Sequence, residues 1–99
     1  MKSRSIAYEA QVADDLHAIL MWLAEMAGPL AAIETVDAID EFMASFDIAG
    51  ERGTRRDDIR PDLRVIGFRK AVLAFVVDSD TVTFLRVFYG GQDWEAALR

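Results

Sequence analysis

Apolar residues recur every three or four positions in the first half of the chain, which is the spacing of an amphipathic helix. One stripe lies between Glu9 and Ala27 and consists of Val12, Leu16, Ile19, Leu20, Leu23 and Met26. A second stripe begins at Leu30 and ends near Phe46, and it consists of Leu30, Ile33, Val36, Ile39, Met43 and Phe46. Gly28-Pro29 separates the two, because proline is tolerated in the first turn of a helix and not inside one. The pattern predicts two helices in an antiparallel hairpin.

The remaining positions of these helices are assigned by the same spacing. Three acidic residues lie off the first stripe: Asp14, Asp15 and Glu25. The single histidine, His17, is interpreted as a helix-surface residue. Three methionines are interpreted as core residues: Met21, Met26 and Met43.

The period of a strand replaces the helical period in the second half of the chain. Apolar and other residues alternate over Leu63–Phe68 and Thr81–Tyr89, and between them Ala71–Val77 is apolar throughout. We expect the wholly apolar strand to be central and to form an antiparallel hairpin with the last strand across Asp78-Ser79-Asp80. Ser3–Tyr8 is predicted as a further strand at the start of the chain.

Two segments complete the predicted order of elements. Ile48–Pro61 is predicted as a loop, and its run Arg55-Arg56-Asp57-Asp58 is expected to neutralise itself locally. After Gly90-Gly91, the segment Asp93–Arg99 is predicted as a helical turn that Asp93 caps. The order β-α-α-β-β-β predicts one α+β domain over residues 1–99, with a small antiparallel-rich sheet and the helical hairpin packed on one face.

Composition and charge restrict the possible functions of the chain more than they restrict its fold. The chain has 99 residues and a net charge of −6, and residues 1–50 contain two basic and nine acidic residues, whereas residues 51–99 contain nine and eight. A chain that binds phosphates needs a basic face, so we expect no direct DNA binding. The absence of cysteine excludes thiolate metal sites and thiol nucleophiles and fits a cytoplasmic location. The longest apolar run, Ala71–Val77, is too short to cross a membrane. We expect no metal and no cofactor.

Three segments of the second half resemble the carboxy-terminal half of ParE toxins in the RelE/ParE superfamily. They are Arg60-Pro-Asp-Leu-Arg64, Ala71–Asp78, and Leu85–Asp93, which reads Leu-Arg-Val-Phe-Tyr-Gly-Gly-Gln-Asp. Ala10 and the pair Asp15-Leu16 are similar to an early Ala and Asp-Leu of the family, so the resemblance covers nearly the whole chain. It implies the α+β fold given above and the toxin of a type II toxin–antitoxin module, a class also known as plasmid stabilisation proteins.

The resemblance also implies the partners. A cognate antitoxin would wrap its carboxy-terminal segment over the toxin and neutralise it in a toxin–antitoxin hetero-oligomer. ParE members act on DNA gyrase, whereas RelE members cut messenger RNA on the ribosome. Two alternatives to a ParE-like toxin therefore stay open. One is a RelE-like ribosome-dependent endoribonuclease in which Arg69, Lys70, Arg86 and Tyr89 position and protonate the cut phosphate. The other is an inactive relative that only binds an antitoxin.

Departures from the superfamily pattern favour binding over catalysis. Ala71 and Phe75 stand where the superfamily often has tyrosines, and Gln92 stands where an arginine usually follows the last strand. Loss of that arginine removes a charge that would stabilise a pentacoordinate phosphate. The only histidine, His17, is far in sequence from the strand residues. We therefore expect no catalytic residue and favour a ParE-like toxin that acts by binding a protein.

Eight residues are candidates for contact with the antitoxin or the target: Arg64, Arg69, Lys70, Arg86, Tyr89, Gln92, Asp93 and Trp94. Several have a structural alternative. Arg86 can pair with a carboxylate while its stem packs, and Tyr89 can close the edge of the core. Asp93 can be only a helix cap, and Trp94 either projects from the sheet edge as an anchor or docks on the chain's own core.

Strand positions give two further expectations. The alternation from Thr81 to Tyr89 places Arg86 on an otherwise apolar face that contains Val82, Phe84 and Phe88. The cations near the second and third predicted strands are expected to form a modest patch, which is either solvated or paired with acids, and they are Arg64, Arg69 and Lys70.

Overall fold

Apart from one short additional strand, helices and strands follow the order that the hydrophobic pattern predicts, in a computed structural model that describes residues 2–99. The elements are, in chain order, strand β1 (Ser5–Tyr8), helix α1 (Ala10–Ala27), helix α2 (Pro29–Ala44), a 3₁₀ turn (Ser45–Asp47), strands β2 (Thr54–Arg55), β3 (Leu63–Phe68), β4 (Ala71–Val77) and β5 (Thr81–Tyr89), and helix α3 (Trp94–Leu98). Phe46, predicted at the end of the second helix, lies in the 3₁₀ turn. The first strand begins at Ser5, while Ser3 forms an isolated bridge with Ile48.

Gly28 and Pro29 form the turn between α1 and α2. Gly28 has a φ of 93°, which a residue with a side chain adopts only with strain, and its N–H donates to the carbonyl oxygen of Ala24 at 3.2 Å. Pro29 is the first residue of α2, where its missing N–H costs no helical hydrogen bond. The predicted helical hairpin is confirmed.

The five strands form one mixed sheet in the order β1-β5-β4-β3-β2. β1 is parallel to β5, and the other neighbours are antiparallel. The apolar strand β4 is central, as predicted, and its turn to β5 is closed by the Asp78 carboxylate, which accepts from the N–H groups of Asp80 and Thr81 at 2.8 and 2.7 Å. The segment predicted as a loop, residues 48–61, contains β2. A two-residue strand is too short to show alternation, and the sequence pattern therefore missed it.

The main core lies between the sheet and the helical hairpin, which covers one face. Three phenylalanine rings from the 3₁₀ turn, β4 and β5 pack at its centre with ring centroids 5.1 to 5.4 Å apart, and they are Phe46, Phe75 and Phe84. The buried residues of the two helices are Val12, Asp15, Ile19, Leu23, Ala32, Ile39 and Met43. The predicted α+β layering is confirmed.

Some residues of the predicted stripes lie outside the core. Met26 is 67% exposed and Leu30 is 77% exposed, and Met21 and Ile33 are exposed as well. Their assignment to the core was wrong. The buried line of α2 passes through Ala32, so that Leu30 and Ile33 lie beside it. Apolar side chains on both sides of the hairpin turn are therefore open to solvent.

A bulge in β5 changes which of its residues face the helices. The pairing with β4 skips Leu85, which has no partner there. Beyond the bulge, Val87 belongs to the core under the hairpin, whereas Phe88 belongs to a cluster on the opposite face of the sheet. The prediction that Phe88 shares a face with Val82 and Phe84 was wrong, because one inserted residue shifts the alternation by one position.

The opposite face of the sheet holds a smaller apolar cluster, which consists of Leu63, Val65, Ala74, Phe88 and Leu98. Leu98 comes from α3, whose first turn is capped as predicted: the Asp93 carboxylate accepts from the Ala96 N–H at 3.2 Å. Trp94 packs at the margin of the same cluster. Within residues 2–99, no helix has both the length and the apolar character that a membrane span needs.

Candidate functional site

A buried carboxylate on α1 is tied to the end of β5. Among residues 2–99, Asp15 is the only buried charged side chain. Arg86 donates two hydrogen bonds to it, from Nε to Oδ2 at 2.9 Å and from Nη2 to Oδ1 at 3.1 Å. The Val87 N–H, just past the bulge, donates to Oδ2 at 2.9 Å, and Gln11 Nε2 donates to Oδ1 at 3.2 Å. Each oxygen has two donors, so the carboxylate is satisfied despite its burial.

The Arg86 guanidinium is held in place by the same contacts. The hydrogen bond to Asp15 raises the pKa of Arg86 above its ordinary value, although burial acts in the opposite direction. Its Cζ also lies 4.8 Å from the ring centre of Phe88. Of the two roles considered for Arg86, the structure therefore shows the one in which it pairs with a carboxylate. Asp15 lies off the predicted apolar stripe and is nevertheless buried, because it pairs with Arg86, which is 71 residues away in sequence.

A groove lies beside this ion pair, between α1 and the end of β5. It comprises two adjoining cavities of about 530 and 370 Å³ that share Trp22, Tyr89 and Gly90. Trp22 is half exposed, and its ring meets the Tyr89 ring edge-on with centroids 6.2 Å apart. Met26 lines the larger cavity and Gln92 the smaller one. We call this surface the aromatic groove.

Gly90 lies where the two cavities of the aromatic groove adjoin. Its φ of 67° favours glycine, and a Cβ added there would lie 3.6 Å from the Trp22 ring. The Gly90 N–H donates to the Lys70 carbonyl oxygen at 3.1 Å. The Gln92 side chain folds back, and its Oε1 accepts from the Tyr89 N–H at 2.9 Å. The first hydrogen bond fixes the backbone of Lys70 and the second fixes the side chain of Gln92, and both residues line the groove.

The structure brings together four of the eight predicted contact residues at or beside the aromatic groove: Lys70, Arg86, Tyr89 and Gln92. The others lie elsewhere. Asp93 caps α3. Trp94 docks on the chain's own core, where it is partly buried against the cluster on the opposite face of the sheet. The Arg56 Cζ lies 5.3 Å from the Trp94 ring centre. Trp94 therefore does not project from the sheet edge.

The expected patch of Arg64, Arg69 and Lys70 is not formed. Arg64 lies near the start of β3, where its Nη1 donates to the Arg52 carbonyl oxygen at 3.3 Å. Arg69 follows the other end of β3, about 16 Å away at the usual rise of a strand. Its guanidinium lies 5.3 Å from the Phe68 ring centre. Of the three cations, Lys70 lines the groove. Proximity in sequence was misleading because an extended strand separates its two ends.

The helical wall of the groove was not predicted from the sequence. Trp22 and Met26 are one turn apart on α1 and are 50% and 67% exposed. The available signal was that the first helix has more large apolar residues than one buried stripe requires. A second apolar stripe beside the first is what a helix needs when it both packs on a core and lines a surface groove.

Charges in the loop after β2 neutralise one another, as predicted. Arg55 lies 3.0 Å from Asp57, and Arg56 lies 2.9 Å from Asp58. The hydrogen bond from Arg55 lowers the pKa of Asp57 to about 2. Arg56 also reaches Glu95 at 2.8 Å and so ties the loop to α3. In the described part of the chain, no three side chains of the metal-binding types are grouped as a metal site.

Comparison with known proteins identifies the class. The sequence model described as ParE toxin of type II toxin-antitoxin system, parDE, matches residues 6–94. The chain therefore belongs to the ParE toxin family and is the toxin of a type II toxin–antitoxin module of the ParE/RelE kind. A search of curated proteins finds no match.

Solved structures of two toxin–antitoxin systems share the fold. The chromosomal ParDE system from P. aeruginosa matches with a TM-score of 0.76 and 22% identity, over 88% of this chain and 96% of that one. The RelBE2 toxin–antitoxin complex from Mycobacterium tuberculosis matches with a TM-score of 0.66 and 16% identity, over 89% of this chain and 99% of that one. At these identities the similarity concerns the fold.

Proposed function

We propose that this toxin acts in the cytoplasm by binding DNA gyrase, without a catalytic step, and that a cognate antitoxin neutralises it by covering the aromatic groove. Gyrase is the target that resemblance to ParE toxins implies. The neutralised form is a toxin–antitoxin hetero-oligomer. The aromatic groove is the surface through which the toxin recognises proteins.

The contacts of Arg86 carry the non-catalytic part of this proposal. A ribonuclease of the RelE kind needs a free cation to stabilise the charge that develops on the phosphate. Nε and Nη2 of Arg86 instead bond to Asp15. A phosphate that took the Nε and Nη2 edge of Arg86 would displace Asp15 and leave a buried carboxylate without its main partner, at a cost of several kcal/mol. Arg86 is thereby committed to holding α1 against β5.

The neighbouring Gln92 does not replace Arg86. Gln92 is neutral, and its Oε1 is engaged by the Tyr89 N–H. A general base must lie within hydrogen-bond reach of the proton that it removes. Among the described residues that line the groove there is no histidine, and the one carboxylate, Asp15, already accepts four hydrogen bonds. These residues favour recognition over proton transfer.

The character of the groove favours a protein partner. Trp22, Met26 and Tyr89 present aromatic and apolar surface, the kind that dominates the energy of protein interfaces. The net charge of −6 opposes binding to a phosphate backbone. An effect on DNA topology therefore requires a protein target.

Supercoiling by purified gyrase tests the target. We expect the wild type to inhibit supercoiling and a folded Trp22→Ala variant to inhibit it at least tenfold less, which corresponds to about 1.4 kcal/mol. Met21→Ala is the matched control, because Met21 is exposed on the same helix and does not line the groove. Circular dichroism checks the fold of each variant. Normal supercoiling at a large excess of folded wild-type toxin would refute the gyrase assignment.

Primer extension on translating ribosomes tests the ribonuclease alternative. We expect no new cuts in messenger RNA from the wild type. Cuts that appear with the wild type and disappear in a folded Arg86→Lys or Arg86→Ala variant would replace the proposal with RNA cleavage. A chain that binds its antitoxin but affects neither gyrase nor RNA would be the inactive relative.

A further inference from the structure

We propose that the aromatic groove recognises a carboxylate adjacent to an apolar side chain on the antitoxin, and that Lys70 and Gln92 bind this carboxylate. The inference rests on the proposed neutralisation of the toxin through this groove. The occupant is an acidic segment of the antitoxin, in which an Asp or Glu accompanies an aliphatic or aromatic anchor.

The apolar half of this recognition comes from the floor and helical wall of the groove. Leu23 and Val87 are buried beneath it, and Trp22 and Met26 stand beside it with half or more of their surface exposed. Cavities of about 530 and 370 Å³ hold an aliphatic or aromatic side chain. Filling them removes exposed apolar surface from water, which favours binding.

The preference for a carboxylate comes from the hydrogen-bond donors that remain without an acceptor at the groove. The acceptor oxygens of Asp15 already have two donors each, and Gln92 Oε1 is engaged by the Tyr89 N–H. Lys70 has no carboxylate within 4.0 Å in the described structure. Because Oε1 of Gln92 is occupied, its Nε2 is left to donate outward. Free donors beside apolar walls are complementary to a carboxylate.

The negative charge of the helical hairpin strengthens the preference for a carboxylate at Lys70. No lysine or arginine occurs between Arg4 and Arg52, whereas ten acidic residues do. An acidic partner is therefore repelled by the hairpin surface and attracted at the rim that contains Lys70. Attraction at one point and repulsion around it fix the position of a charged segment more strongly than attraction alone.

Affinity for the antitoxin encoded beside the toxin gene, measured by calorimetry at two salt concentrations, tests the proposal. Lys70→Glu is expected to weaken binding about tenfold or more and to reduce the loss of affinity on adding salt. Arg69→Glu is the matched control, since it makes the same charge change one residue away, at a side chain that packs on Phe68 outside the groove. We expect its effect to stay within about twofold. Gln92→Glu, which keeps an acceptor for the Tyr89 N–H and loses the Nε2 donor, is expected to weaken binding as well.

A charge exchange identifies the antitoxin residue. Each Asp or Glu of the antitoxin is replaced by Lys in turn and combined with Lys70→Glu, and one exchange is expected to restore binding. In a Trp94→Phe background, where Trp22 is the only tryptophan, its fluorescence is expected to change on binding. Equal losses for Lys70→Glu and Arg69→Glu, or unchanged Trp22 fluorescence in a formed complex, would overturn the inference and leave neutralisation by the antitoxin intact. Failure of the wild type to bind the antitoxin would overturn both proposals.

Discussion

Carboxylates on the helical hairpin mostly lack a cationic partner, whereas carboxylates in the loop after β2 are paired with arginines. Of the acidic side chains between residues 9 and 47, Asp15 alone has an arginine or lysine within 4.0 Å in the described part of the chain. In the loop, each of Asp57, Asp58 and Asp62 lies 3.0 Å or less from an arginine. The two regions differ in whether their acids have partners.

The pKa values differ in the same sense. Burial and the neighbouring Asp37 raise the pKa of Asp40 on α2 above its ordinary value. The hydrogen bond from Arg55 lowers the pKa of Asp57 to about 2. On the hairpin, Asp37 and Asp40 therefore repel each other, whereas the acids of the loop are paired with arginines. A net charge of −6 does not describe either region.

Asp15→Ala should have the largest effect, because Asp15 is the hairpin acid that behaves like those of the loop. The substitution leaves the Arg86 guanidinium and the Val87 N–H without their acceptor. We expect the free energy of unfolding, measured by urea denaturation, to fall by about 2–4 kcal/mol.

Asp14→Ala is the control for Asp15→Ala, since it removes an exposed carboxylate from the adjacent position. We expect it to change the free energy of unfolding by no more than about 0.5 kcal/mol. Similar losses for the two variants would contradict the distinction between a paired and an outward-facing acid on this helix.

Most of the fold could be predicted from the sequence because its elements are long and periodic. α1, α2 and the strands β3 to β5 each repeat their hydrophobic period at least twice, and Gly28-Pro29 marks the hairpin turn. The bulge at Leu85 had no such signal. It contains no glycine and adds one residue to a strand that is apolar on both faces, so that either alternation fits the sequence.

Only some of the residues that line the aromatic groove are among the contact candidates named from the sequence, for a related reason. Lys70, Tyr89 and Gln92 lie near one strand end and its turn, where the resemblance to ParE toxins drew attention. Trp22 and Asp15 reach the same place from α1, through packing and an ion pair with a residue 71 positions away. Contacts between elements distant in sequence are set by the fold and leave no mark on local patterns.

Arg56→Ala should produce a smaller loss of stability than Asp15→Ala. Arg56 joins Asp58 to Glu95 and thereby ties the loop to α3, but the pairs lie at the surface and are screened by salt. We expect a lower urea midpoint than for the wild type, with the difference shrinking as salt is added. Arg60→Ala removes an exposed arginine of the same loop and serves as the control. Equal midpoints for the two variants at low salt would show that the loop acids gain nothing from being paired.

Asp40→Asn should have the smallest effect and the opposite sign. A carboxyl whose pKa is raised in the folded state binds its proton more tightly there than in the unfolded chain, so its ionised form destabilises the fold at neutral pH. Asp37 and Asp40 are three residues apart on α2, a spacing at which like charges cost about 0.2–0.5 kcal/mol. We expect Asp40→Asn to raise the free energy of unfolding at pH 7 by this amount.

The pH dependence of stability separates Asp40 from Asp57. The penalty at Asp40 disappears as pH falls through its raised folded pKa, so the advantage of Asp40→Asn over the wild type should vanish on mild acidification. Asp57 has the lowered pKa, so its contribution is complete above the ordinary value of 3.8 and is lost as pH falls toward about 2. Asp57→Asn should therefore destabilise the protein at pH 7, and its deficit should shrink only in strong acid. Urea titrations of both variants from pH 7 to pH 2 measure the two curves. If both substitutions stabilised the protein at pH 7, or both destabilised it, the proposed difference between the hairpin acids and the loop acids would be contradicted.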